Sequence, residues 1–176
     1  MPIPIPSRPR QERAAAIVVV CLATVMLAAT ARAIEVGAPA PAFALPAADG
    51  QVVALDGLRG RVVYVDFWAS WCAPCRRSFP WMNTLQQRFG SRGLAVVAIN
   101  VDKRRPDADR FLHQFPATFT VVFDPAGVTP AAYAVPGMPT SYLIDARGNV
   151  VQIEQGFLDD RRAALEARIE SLIGTR

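Results

Sequence analysis

Short, nearly unbroken apolar runs alternate along this chain with stretches in which apolar residues follow a helical spacing. Val62–Trp68 and residues 94–101 are runs of the first kind, rich in β-branched residues, which predicts two strands buried on both faces. Between them, apolar residues recur every three or four positions from about residue 74 to residue 89, which is typical of an amphipathic helix. Gly90 and Gly93 are expected to end this helix.

The remaining pattern predicts smaller elements on either side of this unit. Asp49 and Gly50 form a turn signal between residues 43–45 and 51–55, so a short β-hairpin is expected there. Downstream, the predicted elements are a helix over residues 106–115, a strand over Thr120–Phe123, one or two helical turns over residues 129–133, a hairpin of residues 141–144 and 150–154, and a helix over residues 159–173. This order predicts an α/β domain with a central mixed β-sheet, helices on both faces and an N-terminal β-hairpin extension.

The first 33 residues follow a different pattern from the rest of the chain. Three arginines precede an apolar stretch over residues 14–29, and Ala31-Arg32-Ala33 has the small residues of a signal peptidase site. Residues 1–33 are therefore predicted to be a secretory signal peptide, with an uncleaved membrane anchor as the alternative. Residues 34–176 are predicted to form one exported domain.

Composition and charge change this interpretation little. The chain is 52% hydrophobic, but part of the excess belongs to the predicted signal peptide. Of the formal net charge of +4, +3 lies in residues 1–33, so the domain carries +1 and its charge gives no argument for binding nucleic acid. A membrane would be contacted only through residues 1–33, if they are retained.

Cysteine usage indicates redox chemistry. Of the three cysteines, Cys21 lies in the apolar stretch and is interpreted as a filler residue, which leaves Cys72 and Cys75 at the start of the predicted helix. A disulfide between these two closes too small a loop to stabilise distant parts of the chain. A helix N-terminus lowers the pKa of a nearby thiol, so the first cysteine is expected to form a thiolate near neutral pH. Zinc usually needs four ligands, and the one histidine, His113, is expected on a helix surface, so no metal site is predicted.

Two separated motifs resemble those of the thioredoxin superfamily. Residues 65–75, with the sequence Val-Asp-Phe-Trp-Ala-Ser-Trp-Cys-Ala-Pro-Cys, are similar to the active-site segment, and residues 137–145 resemble the cis-proline loop and the strand after it. The export signal, the N-terminal hairpin and the position of Pro80 after the cysteine pair are similar to the TlpA/ResA-like branch of exported thiol-disulfide oxidoreductases. The resemblance covers about residues 39–173. It implies a thioredoxin fold, a cis peptide bond before Pro139, and no cofactor besides the redox-active cysteine pair.

The resemblance implies a role for each residue around the cysteines. Cys72 matches the more exposed, nucleophilic thiol, and Cys75 matches the resolving thiol, which releases the reduced substrate. Ala73 and Pro74 are expected to tune the redox potential, and Pro74 also shapes the start of the helix. Arg76 either adds positive potential near the thiolate or belongs to a solvated helix face.

The substrate-binding surface is expected to combine Trp71 with the cis-proline loop. Trp71 is next to the nucleophile and offers a large apolar surface with a polar N–H group. Met138, Pro139 and Thr140 belong to a loop whose free backbone groups would pair with an extended substrate segment. The alternative for Met138 is simple filling of the core.

Asp66 lies in the middle of the first buried strand, among apolar neighbours. A carboxylate there is costly without partners, and burial should raise its pKa. In thioredoxins the matching acid accepts the proton of the resolving cysteine, so the resemblance implies this catalytic role for Asp66. The alternative is a strand register that turns Asp66 toward solvent.

Two positions depart from the patterns of the family. Many members of the TlpA/ResA-like branch have a glutamate three residues after the second cysteine, where this chain has Ser78. Thioredoxins carry a lysine near the buried aspartate, on the next strand, where this chain has Ala98. Without that cation the pKa of Asp66 should rise further, and Asp66 is expected to be the only acid near the thiols.

The expected function is thiol-disulfide exchange on protein substrates in the bacterial periplasm, by a protein that is either released or tethered to the inner membrane. The resemblance favours reduction, as in cytochrome c maturation or metalloprotein assembly, and a reductase there needs a membrane electron donor. The alternatives are a disulfide-forming oxidase and a copper-binding or copper-transfer module that uses the same cysteines.

Overall fold

Seven strands and four α-helices make up residues 34–174, the part of the protein that this computed structural model describes. The strands are β1 (Ala44–Pro46), β2 (Val52–Ala54), β3 (Val62–Trp68), β4 (Leu94–Asn100), β5 (Thr120–Phe123), β6 (Thr140–Ile144) and β7 (Val150–Gln155). The helices are α1 (Cys75–Phe89), α2 (Arg105–Gln114), α3 (Val128–Ala132) and α4 (Arg162–Gly174). Short 3-10 turns cover Leu55–Leu58, Gly90–Arg92 and Asp159–Arg161. The predicted signal peptide, residues 1–33, and its Cys21 lie outside the described residues.

Strand β3 is the middle strand of a mixed sheet with the order β5-β4-β3-β6-β7. It pairs parallel with β4 and antiparallel with β6, while β5 lies parallel to β4 and β7 lies antiparallel to β6. Strands β1 and β2 form a separate antiparallel hairpin. The predicted mixed sheet and N-terminal hairpin are both confirmed, and the arrangement is a thioredoxin fold.

Successive side chains of β3 point to opposite faces of the sheet and enter two separate cores. Tyr64 and Trp68 belong to the first core, together with apolar residues of α1, α2 and α4. Val65 and Phe67 belong to the second core, which is completed by residues of the N-terminal segment and by Tyr133, just after α3. The helices are therefore divided unevenly between the two faces of the sheet, because the three longer helices, α1, α2 and α4, contribute to the first core.

Helix α1 places the second cysteine at its first residue. Pro74 precedes it with a φ of −62°, the value that the proline ring imposes and that a helix start requires. The predicted apolar stripe, which includes Phe79 and Met82, is completely buried against the sheet. The chain reverses after the helix at Gly93, whose φ of 112° lies in the left-handed region that favours glycine.

The last helix begins later than its sequence pattern predicts. The pattern predicts helix from residue 159, but Asp159–Arg161 form a 3-10 turn, in which the N–H of Arg161 donates to the carbonyl of Leu158 at 3.2 Å. Helix α4 proper starts at Arg162. A tight turn of this kind is common at helix N-termini and has the same polar composition as a helix start, which explains the difference.

Candidate redox-active site

A hydrogen-bond network fixes the loop that leads from β3 to the cysteines. Asp102, just after β4, accepts two hydrogen bonds from Ser70: one from its N–H at 2.9 Å and one from its hydroxyl at 3.0 Å. The side-chain amide of Asn100 donates to the same carboxylate at 2.8 Å, and the N–H of Asp102 donates to Asn100 Oδ1 at 3.1 Å. Because Asp102 is buried, this network anchors the start of the loop that carries Cys72.

The predicted site residues do not include Ser70, Asn100 or Asp102. The signal for them was the pair of polar residues at the end of a buried strand. Strands β3 and β4 run parallel, so their carboxyl ends, and the residues after them, lie at the same edge of the sheet.

Cys72 and Cys75 form a disulfide at the N-terminus of α1, with their Cα atoms 5.4 Å apart. Cys72 is 3% exposed and Cys75 is completely buried, so Cys72 is the more exposed of the two in the disulfide form. The N–H of Cys75 points at Cys72 Sγ at 3.3 Å. In the reduced protein this donor and the positive end of the helix favour a thiolate at Cys72.

The residues beside the disulfide divide into an exposed surface and a helix face. Trp71 is 68% exposed, next to Cys72, as expected for a substrate-facing side chain. Ala73 and Arg76 are also exposed, and Arg76 makes no ion pair within the described part of the chain. Arg77 pairs with Asp159 at 3.4 Å on the protein surface. Arg76 therefore leaves its charge close to the start of α1 uncompensated by a neighbouring carboxylate.

The loop before β6 contains the predicted cis peptide bond, between Met138 and Pro139. Thr140, at the start of β6, pairs with Phe67, near the end of β3, so this loop and the cysteine loop lie at the same end of the sheet. Met138 is partly buried and packs against both cores, while Pro139 is buried. The sequence thus brings the two motifs together through strand pairing.

Thr140 does not offer its side chain to the surface. It is 1% exposed, and its hydroxyl donates to the carbonyl of Gly137 at 2.7 Å. The hydroxyl therefore holds the shape of the cis-proline loop. Any contact of Thr140 with a substrate has to use its backbone.

Asp66 is 2% exposed on the face of β3 that carries Tyr64 and Trp68, which confirms the predicted burial and rules out the solvent-facing register. Its Oδ2 atom has no hydrogen-bond partner in the described part of the protein. Burial raises the pKa of Asp66 well above its usual value, as expected. Burial therefore favours the neutral, protonated form of this carboxyl.

Both departures from the family patterns have structural counterparts. Ala98 lies directly opposite Asp66 on β4, so that side of the carboxyl has no cation. Ser78 is buried, and its hydroxyl donates to the carbonyl of Cys75 at 3.1 Å, within the first turn of α1. Neither position supplies a second acid or base to the cysteine pair.

Three polar residues near Asp66 were not predicted from the sequence. Ser141 lies opposite Asp66 on β6, and Glu154 lies opposite Ser141 on β7. Tyr64, two residues before Asp66, is buried, and its pKa is well above the usual value because of burial and then of the Asp66 charge, opposed by a hydrogen bond with Ser141. Ser141 lies in a strand that also contains Thr140 and Tyr142, so it gives little signal before the register is known.

The site combines a reversible disulfide, a helix N-terminus beneath one sulfur and a buried acid on the same side of the sheet. Within residues 34–174, no three His, Cys, Asp or Glu side chains cluster closely enough to hold a metal ion. A thioredoxin fold with this disulfide at the start of its first long helix defines the class of thiol-disulfide oxidoreductases.

Comparison with known proteins gives the family. The Redoxin family matches residues 35–169, so the chain belongs to it. The chain is similar to the thiol-disulfide oxidoreductase ResA of Geobacillus kaustophilus, with 35% identity over 140 residues, 80% of this chain and 79% of that protein. ResA of Bacillus subtilis is 34% identical over 127 residues, 72% of this chain and 71% of that protein. A crystal structure from Chlorobium tepidum, assigned as the thiol:disulfide interchange protein DsbE, is 51% identical with a TM-score of 0.78, covering 81% of this chain and all (100%) of that one.

Proposed function

We propose that this oxidoreductase reduces disulfides of protein substrates outside the cytoplasm, with Cys72 as nucleophile and Cys75 as resolving thiol. The observation that carries the proposal is the disulfide itself, with Cys72, which is 3% exposed, accepting the N–H of Cys75 at its sulfur at the helix start. Such a sulfur is reachable by a substrate disulfide, and its thiolate is stabilised by the same donor.

In the first step, the Cys72 thiolate attacks a sulfur of the substrate disulfide. A bond forms between Cys72 and the substrate, the substrate disulfide breaks, and the other substrate sulfur leaves with the electron pair as a thiolate. Trp71 and the loop of Met138 and Pro139 hold the substrate segment beside Cys72. Ala73, Pro74 and Arg76 set the thiolate stability, and with it the potential.

In the second step, Cys75 resolves the mixed disulfide. Asp66 accepts the proton of the Cys75 thiol, and the thiolate attacks Cys72 Sγ. The Cys72–Cys75 bond forms, and the substrate leaves fully reduced as a second thiolate. The enzyme has lost two electrons and returns to the disulfide form, so another thiol system has to supply two electrons for the next turnover.

The proposal places the protein in the bacterial periplasm, through residues 1–33. A periplasmic reductase needs a membrane electron donor, because the compartment is kept oxidising. Protein substrates of cytochrome c maturation or metalloprotein assembly would present extended thiol-bearing segments, which can pair with the free backbone groups of the cis-proline loop. No helix within residues 34–174 has the length and apolar composition to cross a membrane.

Trapping of intermediates tests the assignment of the two thiols. Cys75→Ser should form a stable mixed disulfide with denatured insulin chains whose thiols are activated as mixed disulfides with 5-thio-2-nitrobenzoate, which leaves as the thiolate when Cys72 attacks the insulin sulfur. Cys72→Ser should form none, because Cys75 is completely buried. Wild-type protein should catalyse the reduction of insulin by dithiothreitol, and both variants should not. Trapping through Cys72→Ser alone would reverse the assigned roles.

A further inference from the structure

A row of polar side chains crosses one half of the sheet, from its centre to its edge. Asp66 on β3 is opposite Ser141 on β6, and Ser141 is opposite Glu154 on β7. Directly opposite residues of antiparallel strands share a face, with Cβ atoms about 5 Å apart. The Asp66 carboxyl, the Ser141 hydroxyl and the Glu154 carboxyl therefore lie in a row on the face of the sheet that borders the first core.

The outer part of this row borders a cleft. Tyr64, Ser141 and Glu154 line it, and its free volume of about 20 Å³ is enough for one water molecule. At the outer end, Glu154 Oε2 accepts a hydrogen bond from Arg161 at 3.0 Å, and the Arg161 side chain is 57% exposed. The row thus begins at a buried acid and ends at bulk solvent.

On its other side, Asp66 faces a strand position without a proton-carrying side chain. Strand β4 presents Ala98, which cannot carry a proton, and α1 contributes Cys75, the proton donor of the proposed mechanism, to the core on this face of the sheet. The titratable and charged groups that face the row are Tyr64 from β3, Cys75 from α1, Glu154 from β7, and Arg161 and Arg162 around the start of α4. Of the two residues that pair with Asp66 on the neighbouring strands, Ser141 is the one that can both accept and donate a proton.

A buried base needs a path along which its proton can reach solvent. Burial raises the pKa of Asp66 and so favours its protonated form, and a protonated carboxyl must lose its proton to solvent before it can accept the proton of Cys75. Its Oδ2 atom is buried and has no partner among residues 34–174, so an oxygen of Asp66 remains available to a neighbouring donor or acceptor.

We propose that Ser141 and Glu154 form a proton relay that connects Asp66 with solvent. The proposal rests on the role of Asp66 as proton acceptor for Cys75, stated above. Asp66 gives its proton to Ser141 Oγ while the serine hydroxyl passes its own proton outward, through the cleft that Tyr64 helps to line, to Glu154. Glu154 releases a proton to water beside Arg161, and the leaving substrate thiolate takes one from water. No electron moves in these transfers, and the proton count is unchanged.

The test compares relay variants with matched controls in stopped-flow measurements of reduced protein reacting with a substrate disulfide. Ser141→Ala and Glu154→Gln should slow the resolution step at Cys75 by roughly tenfold at pH 7, with a larger solvent isotope effect. The initial attack by Cys72 should be unchanged. Ser141→Thr keeps a hydroxyl and should keep the wild-type rate. Small proton-carrying buffers such as imidazole should partly restore the rate of Glu154→Gln, which a purely structural defect would not allow.

Glu170→Gln is the control for loss of an ion pair. Glu170 binds Arg92 at 3.0 Å, as Glu154 binds Arg161, but Glu170 lies on α4 and is not part of the row. This variant should behave as wild type. If Ser141→Ala and Glu154→Gln also resolve at the wild-type rate over pH 6–9, while Asp66→Asn is slow, the relay is wrong and the role of Asp66 stands. If Asp66→Asn is as fast as wild type, the role of Asp66 is wrong, and the relay falls with it.

Discussion

At the scale of single residues, Asp66 lies where the charged form of its carboxyl is strongly disfavoured. Its carboxyl is buried in the middle of β3, opposite an alanine on β4, and one of its oxygens has no partner in the described region. Desolvation therefore penalises the carboxylate and raises the pKa. In the proposed mechanism this carboxyl accepts the proton of Cys75, and a pKa raised by burial makes Asp66 a stronger base for that step than an ordinary aspartate.

The raised pKa of Asp66 should make stability depend on pH. Below about pH 4, the ordinary pKa of an unfolded aspartate, both states keep the proton and no penalty exists. As the pH rises from there to the folded pKa, only the unfolded chain loses the proton, so wild-type stability falls by about 1.4 kcal/mol per pH unit relative to Asp66→Asn. Urea unfolding of the oxidised proteins from pH 4.5 to 8 measures this difference. Parallel curves for the two proteins would mean that Asp66 titrates normally.

Asp102 should matter through the loop that it anchors. Asp102→Ala removes the acceptor of the Ser70 N–H and hydroxyl, and a buried donor left without a partner costs about 1–3 kcal/mol. We expect that loss of unfolding free energy and a slower initial attack by Cys72, measured by urea unfolding and stopped-flow fluorescence. Asp109→Ala removes an exposed acid that pairs with Arg105 and should cost no more than about 0.5 kcal/mol. Equal effects of the two substitutions would contradict the anchoring role.

At the scale of elements, strand pairing assembles the site. Pairing of β3 with β6 brings the cysteine loop and the cis-proline loop to one end of the sheet, and helix α1 closes over the first core from there. The cysteines are therefore positioned by packing of the helix as much as by the local motif. A rigid α1 keeps the Cys75 N–H aimed at Cys72 Sγ.

The packing of α1 can be tested with a pair of substitutions on the same helix. Leu85 is completely buried in the first core, so Leu85→Ala should cost about 2–5 kcal/mol of unfolding free energy. Gln87 is exposed on the opposite side, and Gln87→Ala should stay within about 0.5 kcal/mol of wild type. Denaturant unfolding measures both. A small effect at Leu85 would show that the helix contributes little to the core.

The secondary-structure elements could be predicted from the sequence, but the contacts between residues of different strands could not. Apolar runs and helical spacing located the strands, the four helices and the two motifs, because periodicity is a local property. The polar row of Asp66, Ser141 and Glu154 depends on the register of three strands that are distant in sequence, and no local pattern specifies that register. The inward turn of the Thr140 hydroxyl likewise depends on the shape of the loop before it.

At the scale of the whole molecule, the proposed export of the chain can be checked directly. We expect removal of residues 1–33 in a Gram-negative host, because charge, apolar length and small residues follow the pattern of a cleaved signal. Intact mass and N-terminal sequencing of the protein from the periplasmic fraction should give Ile34 as the first residue. A protein that starts at its initial methionine and sediments with membranes would establish the anchor instead.

The direction of the redox reaction is also a property of the whole molecule, because it depends on the relative stability of the oxidised and reduced folds. Oxidoreductases of this class range from about −270 mV for thioredoxin to about −120 mV for a strong oxidant such as DsbA, and 30 mV corresponds to about 1.4 kcal/mol. The Cys75 N–H and the uncompensated charge of Arg76 favour the Cys72 thiolate. Opposite Asp66, Ala98 stands in place of a lysine, so the Asp66 carboxylate has no stabilising cation at that position.

The midpoint potential of the Cys72–Cys75 couple tests the central proposal most directly. Equilibration of the purified protein with glutathione or dithiothreitol buffers, followed by tryptophan fluorescence and thiol alkylation, gives this value. A reductase is predicted to have a potential nearer to about −270 mV than to −120 mV. A value of about −120 mV would contradict the account and identify the protein as a disulfide-forming oxidase.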